Sequence, residues 1–483
     1  MTVKITQLDE MKDERIVLKI EGKLLGEDAA LLERSYDNLE TNEGVEIDMA
    51  GITFIDSNSA SVIRRLERKG AMLSGVDFFI RTVIETYENG NTQEEFMTEI
   101  KGKYDEKFQK VREIFEYSLD CGDDIGASFA VFIDGEPVID IWGGYFDGTF
   151  TREWERDTIA TTHSTTKTMT AMAALVAADR GLIDLNERVA KYWPEFAQNG
   201  KENILVRHLL GHTSGLAGWT EDVTWEDVYD LYKSCDLLAK QAPWWEPGTA
   251  SGYHGITQGH LVSGVIQRVT GKTLGQFFAD EIAGPLGADY HIGLDPKDLH
   301  RAAPFIQAIP EGGLTGNKML DRVAMNPNLN PVNSSTDAFR MAEVGAANGQ
   351  GNARSVATIH SALVTDKVNG VTLLSPEGRK RVLEEQSNGI DLLMEIPIRW
   401  GMGFALESPL FPENYGHNIA YWGGNGGSLG YADLDEKMTI SFVMNRWIEG
   451  MHEYGRYQRL VKAVYECLGY STNKNVFVVA APQ

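Results

Sequence analysis

The chain has 483 residues, 42% of them hydrophobic and 24% charged, and its formal net charge is −25. That length exceeds one ordinary domain and supplies apolar material for a large core, so two or three soluble globular domains are expected. The acidic balance excludes nucleic acid and anionic membrane surfaces as expected partners, because binding phosphate takes a basic face.

The N-terminus, MTVKITQLDEMKDERIVLK, carries charges throughout and no apolar h-region, so it does not read as a signal peptide. Val3 to Leu8 and Arg15 to Ile20 alternate as strands do. Gly26 to Glu40 places Ala and Leu at helical spacing. A second extended region, Val45 to Ile55, ends at Asp56, and a helix is predicted from Ser57 to Lys69, stopped by Gly70. A strand from Val76 to Ile80 and one or two short helices close a small α/β unit over residues 1–98. Residues 92–107 are polar and charged, and 99–104 read as a linker to a second domain over 105–483.

That domain opens with a long helix, Tyr104 to Leu119. Phe129 to Ile133 and Val138 to Trp142 flank Asp134-Gly135-Glu136-Pro137, a hairpin by its turn chemistry. Gly427 to Tyr431 and Met438 to Met444 look like paired strands, and a last helix runs from about Met451 to Leu468. Strands at both ends with helical material between them predict one sheet built from both ends of the domain. Nowhere do about 20 apolar residues run together, as a spanning helix needs. The cysteines, Cys121, Cys235 and Cys467, are widely spaced and odd in number, which implies no disulfide framework and a cytoplasmic setting.

The chemistry concentrates at Thr162-His163-Ser164-Thr165-Thr166-Lys167, just before a strong helix, TMTAMAALVAADR. A serine in the first turn feels the positive end of the helix dipole, which favours developing negative charge. Lys167 is three residues on and shares a face with Ser164. Buried there, a lysine can lose its proton or hold the alkoxide, the mechanical content of S-x-x-K. The motif alone is common. It recurs as Ser471-Thr472-Asn473-Lys474 in a polar stretch with no helix after it, a chance copy.

Three further segments support the first copy. Leu209-Leu210-Gly211-His212-Thr213-Ser214-Gly215-Leu216 is a tight turn with a structural histidine. Ser251-Gly252-Tyr253-His254 precedes a helix over Gln258 to Thr270, and a tyrosine on such a loop can serve a neighbouring serine as general base. Tyr421-Trp422-Gly423-Gly424-Asn425-Gly426-Gly427-Ser428 enters a strand, with glycines that admit close backbone approach to a substrate. Two motifs fail on context. Gly426-Gly427-Ser428-Leu429-Gly430 fits G-x-S-x-G but does not run from strand to helix. Gly271-Lys272-Thr273 lacks the upstream glycine of a phosphate loop. The histidines form no metal-spaced pair, so neither metal nor cofactor is expected.

Together, in chain order, Ser164 and Lys167, the turn at His212, Tyr253 and Trp422-Gly423-Gly424 resemble the serine β-lactamase-like superfamily. The likeness, over residues 105 to 470, is nearest to family VIII carboxylesterases and class C β-lactamases. It implies a central antiparallel sheet with flanking helices plus an all-helical domain. By that likeness Ser164 attacks, Lys167 and Tyr253 share the base role, and the N–H groups of Ser164 and Asn425 form an oxyanion hole. Class C enzymes carry Lys-Thr-Gly where this chain has Trp422-Gly423-Gly424, and Asn where it has Gly255. Both changes remove polar groups that handle a lactam's carboxylate, leaving Trp422 as an apolar wall. The implied activity is hydrolysis of short-chain esters through an acyl-serine. The alternatives are a D-alanyl-D-alanine carboxypeptidase or β-lactamase, or a signalling protein with a silent hydrolase fold. Residues 1–98 resemble a STAS domain on Phe54-Ile55-Asp56-Ser57 before a helix. That likeness implies a protein partner and phosphorylation at Ser57, against a plain helix cap as the simpler role.

Overall fold

The computed structural model describes residues 4–10, 15–24, 26–37, 39, 45–55, 57–76, 80, 84, 98–120, 122–306, 315–329, 331–407, 417–447 and 456–470. They group into two compact units, residues 1–99 with 116–124, and 100–115 with 125–483.

In the first unit, strands Lys4–Glu10, Arg15–Leu24, Val45–Ile55 and Met72–Ser74 form one sheet in chain order. The first pair is antiparallel and the next two pairs are parallel. Parallel neighbours need a crossover, which helices Gly26–Asp37 and Ser57–Arg68 supply. Leu18, Ile20, Ile47, Leu32, Ile63 and Leu66 meet in its core. A short strand runs over Met72–Ser74, ahead of the strand expected over Val76 to Ile80, of which residues 77–79 lie outside the described residues. Gly70 ends the helix, as expected, but the chain turns back within one residue and pairs at once with Glu46 to Asp48. Ser59 donates to the Leu24 carbonyl at 2.8 Å from a fully buried site. Asp56, the Ser57 side chain and the Ser471–Lys474 copy of S-x-x-K lie outside the described residues.

The second unit is organised by a nine-stranded sheet whose paired neighbours are all antiparallel. Strand Gly126–Ile133 lies between its hairpin partner Glu136–Gly144 and Met438–Met444, with Ile133 opposite Met438. The sheet is thus built from both ends of the unit. Asp134 and Gly135 both take positive φ, 52° and 82°, the conformation a two-residue hairpin turn requires. Residues 99–104, read as a linker, contain the edge strand Lys101–Tyr104, paired with Glu136–Gly144. Two lysines in four residues hid it, since charge is how exposed edges are protected. Tyr104 accordingly belongs to this strand, and the helix begins later, at Gln109–Asp120.

Helix Ala353–Val364 packs on the sheet. Between residues 166 and 286 the named elements are all helical, among them Thr166–Asp179 and Thr257–Thr270. Ala171, Met172 and Leu175 of the first meet Leu261, Val265, Ala420 and Val443 in one continuous core. The last helix is Arg456–Cys467; residues 451–455, expected to begin it, lie outside the described residues. Among the described residues no helix is long and apolar enough to cross a membrane.

Candidate active site

Strand Ile159–Thr161 delivers the chain into a single tight turn, His163–Thr165, and then into helix Thr166–Asp179. Ala and Met hold that helix with little loss of side-chain freedom, and most of it is buried. His163 takes φ 45°, a conformation non-glycine residues reach only when the surroundings enforce it. Ser164, next in the chain, is half-buried, whereas Lys167 is 1% exposed. Lys167 Nζ lies 3.1 Å from Ser164 Oγ, 2.7 Å from the Gly255 carbonyl and 2.8 Å from the Ala346 carbonyl. No carboxylate pairs with it among the described residues. Burial therefore drives its ammonium well below the ordinary lysine range, because a desolvated charge is costly.

Tyr253 is held by three consecutive backbone N–H groups. Gly252 N donates to the His212 carbonyl at 2.9 Å, Tyr253 N to Asp391 Oδ1 at 2.9 Å, and His254 N to His212 Nδ1 at 3.0 Å. The expected structural histidine is thus the tyrosine loop's anchor, with its own φ at 59°. Burial lowers the proton affinity of His212, as does the nearby His254, so its Nδ1 can accept that bond. The Tyr253 hydroxyl accepts the Trp422 indole N–H at 3.1 Å. Burial raises its pKa above the ordinary value, and the neighbouring Ser164 and Trp422 partly offset the rise. Lys167 Nζ stands 4.7 Å from the centre of its ring.

The glycine segment leaves strand Ile419–Gly423 and returns through Leu429–Asp433. A Cβ on Gly424 would lie 2.1 Å from the Thr162 carbonyl oxygen, so only glycine fits beside the nucleophile turn. Ser428 Oγ donates to that same carbonyl at 2.7 Å and lies 2.9 Å from Thr165 Oγ1. Gly423 and Gly424 are partly exposed, and Asn425 is exposed. Trp422, expected as an apolar wall, is 6% exposed, and its N–H is engaged by Tyr253.

Ser164 bonds Lys167 and Tyr253 bonds Trp422, and the Lys167 amine over the Tyr253 ring brings the two pairs together, with Gly424 packed against the turn that carries Ser164. Three participants had not been assigned a part. Ser428 was visible only as a misplaced G-x-S-x-G. Asp391 and Trp400 stand far along the chain in no recognisable motif. Trp400 stacks on Tyr253 with ring planes 6° apart and centroids at 6.0 Å. In the rejected phosphate-loop motif, Thr273 caps helix Leu274–Phe278, and Lys272 pairs with Asp280 and Glu281.

Residues 111–464 match the β-lactamase family model. The chain is 31% identical over 346 residues to the esterase/β-lactamase LipL of Mycobacterium tuberculosis, covering 66% of this chain and 77% of that protein. Among solved structures, a family VIII carboxylesterase matches with TM-score 0.73 and 38% identity, covering 76% of this chain and all of that one, 100%. A penicillin-binding protein homologue from Caulobacter crescentus matches with TM-score 0.71 and 32% identity, over 77% of this chain and 100% of its own.

Proposed function

The chain belongs to the β-lactamase family of serine hydrolases, and from that premise we propose that it is a carboxylesterase acting on short-chain neutral esters through an acyl-enzyme on Ser164. The observation that carries this reading is the setting of Lys167. Two carbonyls, of Gly255 and Ala346, take up two N–H bonds of its amine. A neutral amine has two such hydrogens and one lone pair, and the lone pair is left for the Ser164 hydroxyl at 3.1 Å. Burial favours the neutral form.

The steps follow from this arrangement. Lys167 accepts the Ser164 proton as Oγ bonds to the ester carbonyl carbon. The carbonyl oxygen takes the negative charge, facing the backbone N–H groups of Ser164 and Asn425. Tyr253 donates its proton to the departing alkoxide and recovers one from Lys167, so the alcohol leaves neutral. Water attacks the acyl-serine by the reverse relay. The Trp422 N–H steadies the tyrosine oxygen without adding a charge.

That neutrality also bears on substrate. A charge-assisted bond to a lactam carboxylate is worth about 1.5–3 kcal/mol, or roughly ten- to hundredfold. An indole supplies none of it and costs a neutral ester nothing. Nitrophenyl acetate or butyrate is expected to exceed a chromogenic cephalosporin in kcat/KM by at least about 10²-fold, the upper end of that bond's worth. Equal turnover of the cephalosporin would favour a β-lactamase instead.

The first unit we read as a STAS-like domain that docks a protein partner. Its mixed sheet, with one antiparallel and two parallel steps and a helix in each crossover, supports that reading. Ser57 opens helix Ser57–Arg68, where a phosphate is electrostatically favoured, and mass spectrometry of the native protein reads its presence. We take residues 1–98 to be dispensable for catalysis. A chain lacking them is expected to keep ester turnover within about threefold, as an independently folded domain should. An inactive product would place the first unit inside the catalytic fold.

A further inference from the structure

We propose that Asp391 is a positioning residue for Tyr253, fixing the tyrosine's backbone directly and its ring through Trp400. The proposal rests on the proton-carrying role given to Tyr253 above.

Asp391 is fully buried, 0% exposed. Among the described residues, four N–H groups donate to its carboxylate and none of its contacts is an acceptor. Tyr253 N, Leu393 N and Met394 N donate to Oδ1 at 2.9, 3.1 and 3.1 Å, and Trp400 Nε1 donates to Oδ2 at 3.3 Å. No basic side chain lies within ion-pair distance among the described residues. A buried charge without a counter-ion is expensive unless hydrogen bonds compensate it. Here backbone and indole dipoles do so, as in a backbone anion nest.

The four donors divide into two kinds. Leu393 N and Met394 N lie two and three residues on, the ordinary turn an Asp or Asn makes with its own chain. Asn would serve that purpose as well. The other two serve no local turn. Tyr253 N comes from a loop 138 residues away, and Trp400 stands at the end of strand Pro397–Trp400. Leu392 N extends the junction by donating to the Ser251 carbonyl at 2.9 Å.

Trp400 is itself fully buried. Its ring lies parallel to Tyr253, with His212 at 4.3 Å and Trp422 at 4.6 Å between centroids. One carboxylate therefore restrains the tyrosine at both ends of its side chain: at the backbone, and through the indole on which the ring rests. Its charge also disfavours tyrosinate, adding to the effect of burial. That keeps Tyr253 a phenol, the form that donates to a leaving group.

Asp391→Asn preserves one acceptor oxygen and the turn but sets an amide N–H against the Trp400 N–H. It is expected to lower kcat for nitrophenyl butyrate by about 10- to 100-fold, the scale of a small misplacement of a reacting group, with KM within about threefold. The distinguishing measurement is a double-mutant cycle. In a Tyr253→Phe background the same substitution should change kcat by less than about twofold, because its only route of action is gone. Losses that multiply in the double variant, or an Asp391→Asn enzyme within about threefold of wild type in kcat, overturn the proposal. Should Asp391→Asn fail to fold, Trp400→Phe keeps an aromatic ring beside Tyr253 and removes the N–H together with the rest of the five-membered ring. The same cycle then decides, with non-additive loss supporting the proposal and multiplicative or absent loss overturning it. Wild-type protein that hydrolyses no nitrophenyl ester would defeat the esterase reading itself, a result distinct from either.

Discussion

Ser164→Ala is expected to abolish ester turnover, leaving at most the small residue that binding and oxyanion stabilisation support on their own. In serine hydrolases, removing a nucleophile that works as a unit with its base costs on the order of 10⁶ in kcat. The same loss is expected here because Lys167 has no other hydroxyl within hydrogen-bond reach among the described residues. Ser428 is fully buried and already bonded to the Thr162 carbonyl and Thr165, so it cannot substitute. A fluorophosphonate should label wild type once, and peptide mapping should place the label on Ser164. A label on any other serine, or an alanine variant with wild-type turnover, removes the assignment.

Tyr253→Phe is expected to lower kcat by about 10²–10⁴-fold while moving KM little, the range general acid–base groups contribute. The ring would remain against Trp400 and His212, and the three backbone bonds of its loop would persist. Only the hydroxyl, with its bond to Trp422, is lost. That separation makes the measurement clean, since stability should change far less than rate. Thermal unfolding followed beside kcat checks it. A variant within about threefold of wild type in kcat would assign the tyrosine to packing alone.

What could be read from the chain followed the range over which each residue acts. Ser164 and Lys167 are three residues apart before a helix, and a helix's own geometry brings such a pair together. Asp134-Gly135 announced a hairpin because two left-handed residues are needed at that turn. Tyr253 and the glycine segment were found only through their order along the chain, since no local rule places them beside Ser164. Asp391 and Trp400 were invisible for the same reason. A lone Asp or Trp has no spacing to read, and its meaning comes from a partner far along the sequence. Lys101–Tyr104 was lost differently, because its lysines disguise an edge strand as a solvated linker.

The central place of strand Gly126–Ile133 has a consequence during synthesis. Its hairpin partner emerges from the ribosome at once, but its other neighbour, Met438–Met444, follows some three hundred residues later. Gly126 N waits equally long for the Asn445 side chain, a separation of 319 positions. Until then a row of inward-facing Phe and Val stands with one unpaired edge, the condition under which nascent chains associate wrongly. The glycine segment that meets Ser164 also arrives within this last stretch. A message cut short before that point encodes the nucleophile, its lysine and its tyrosine, yet not the strand that closes the sheet behind them.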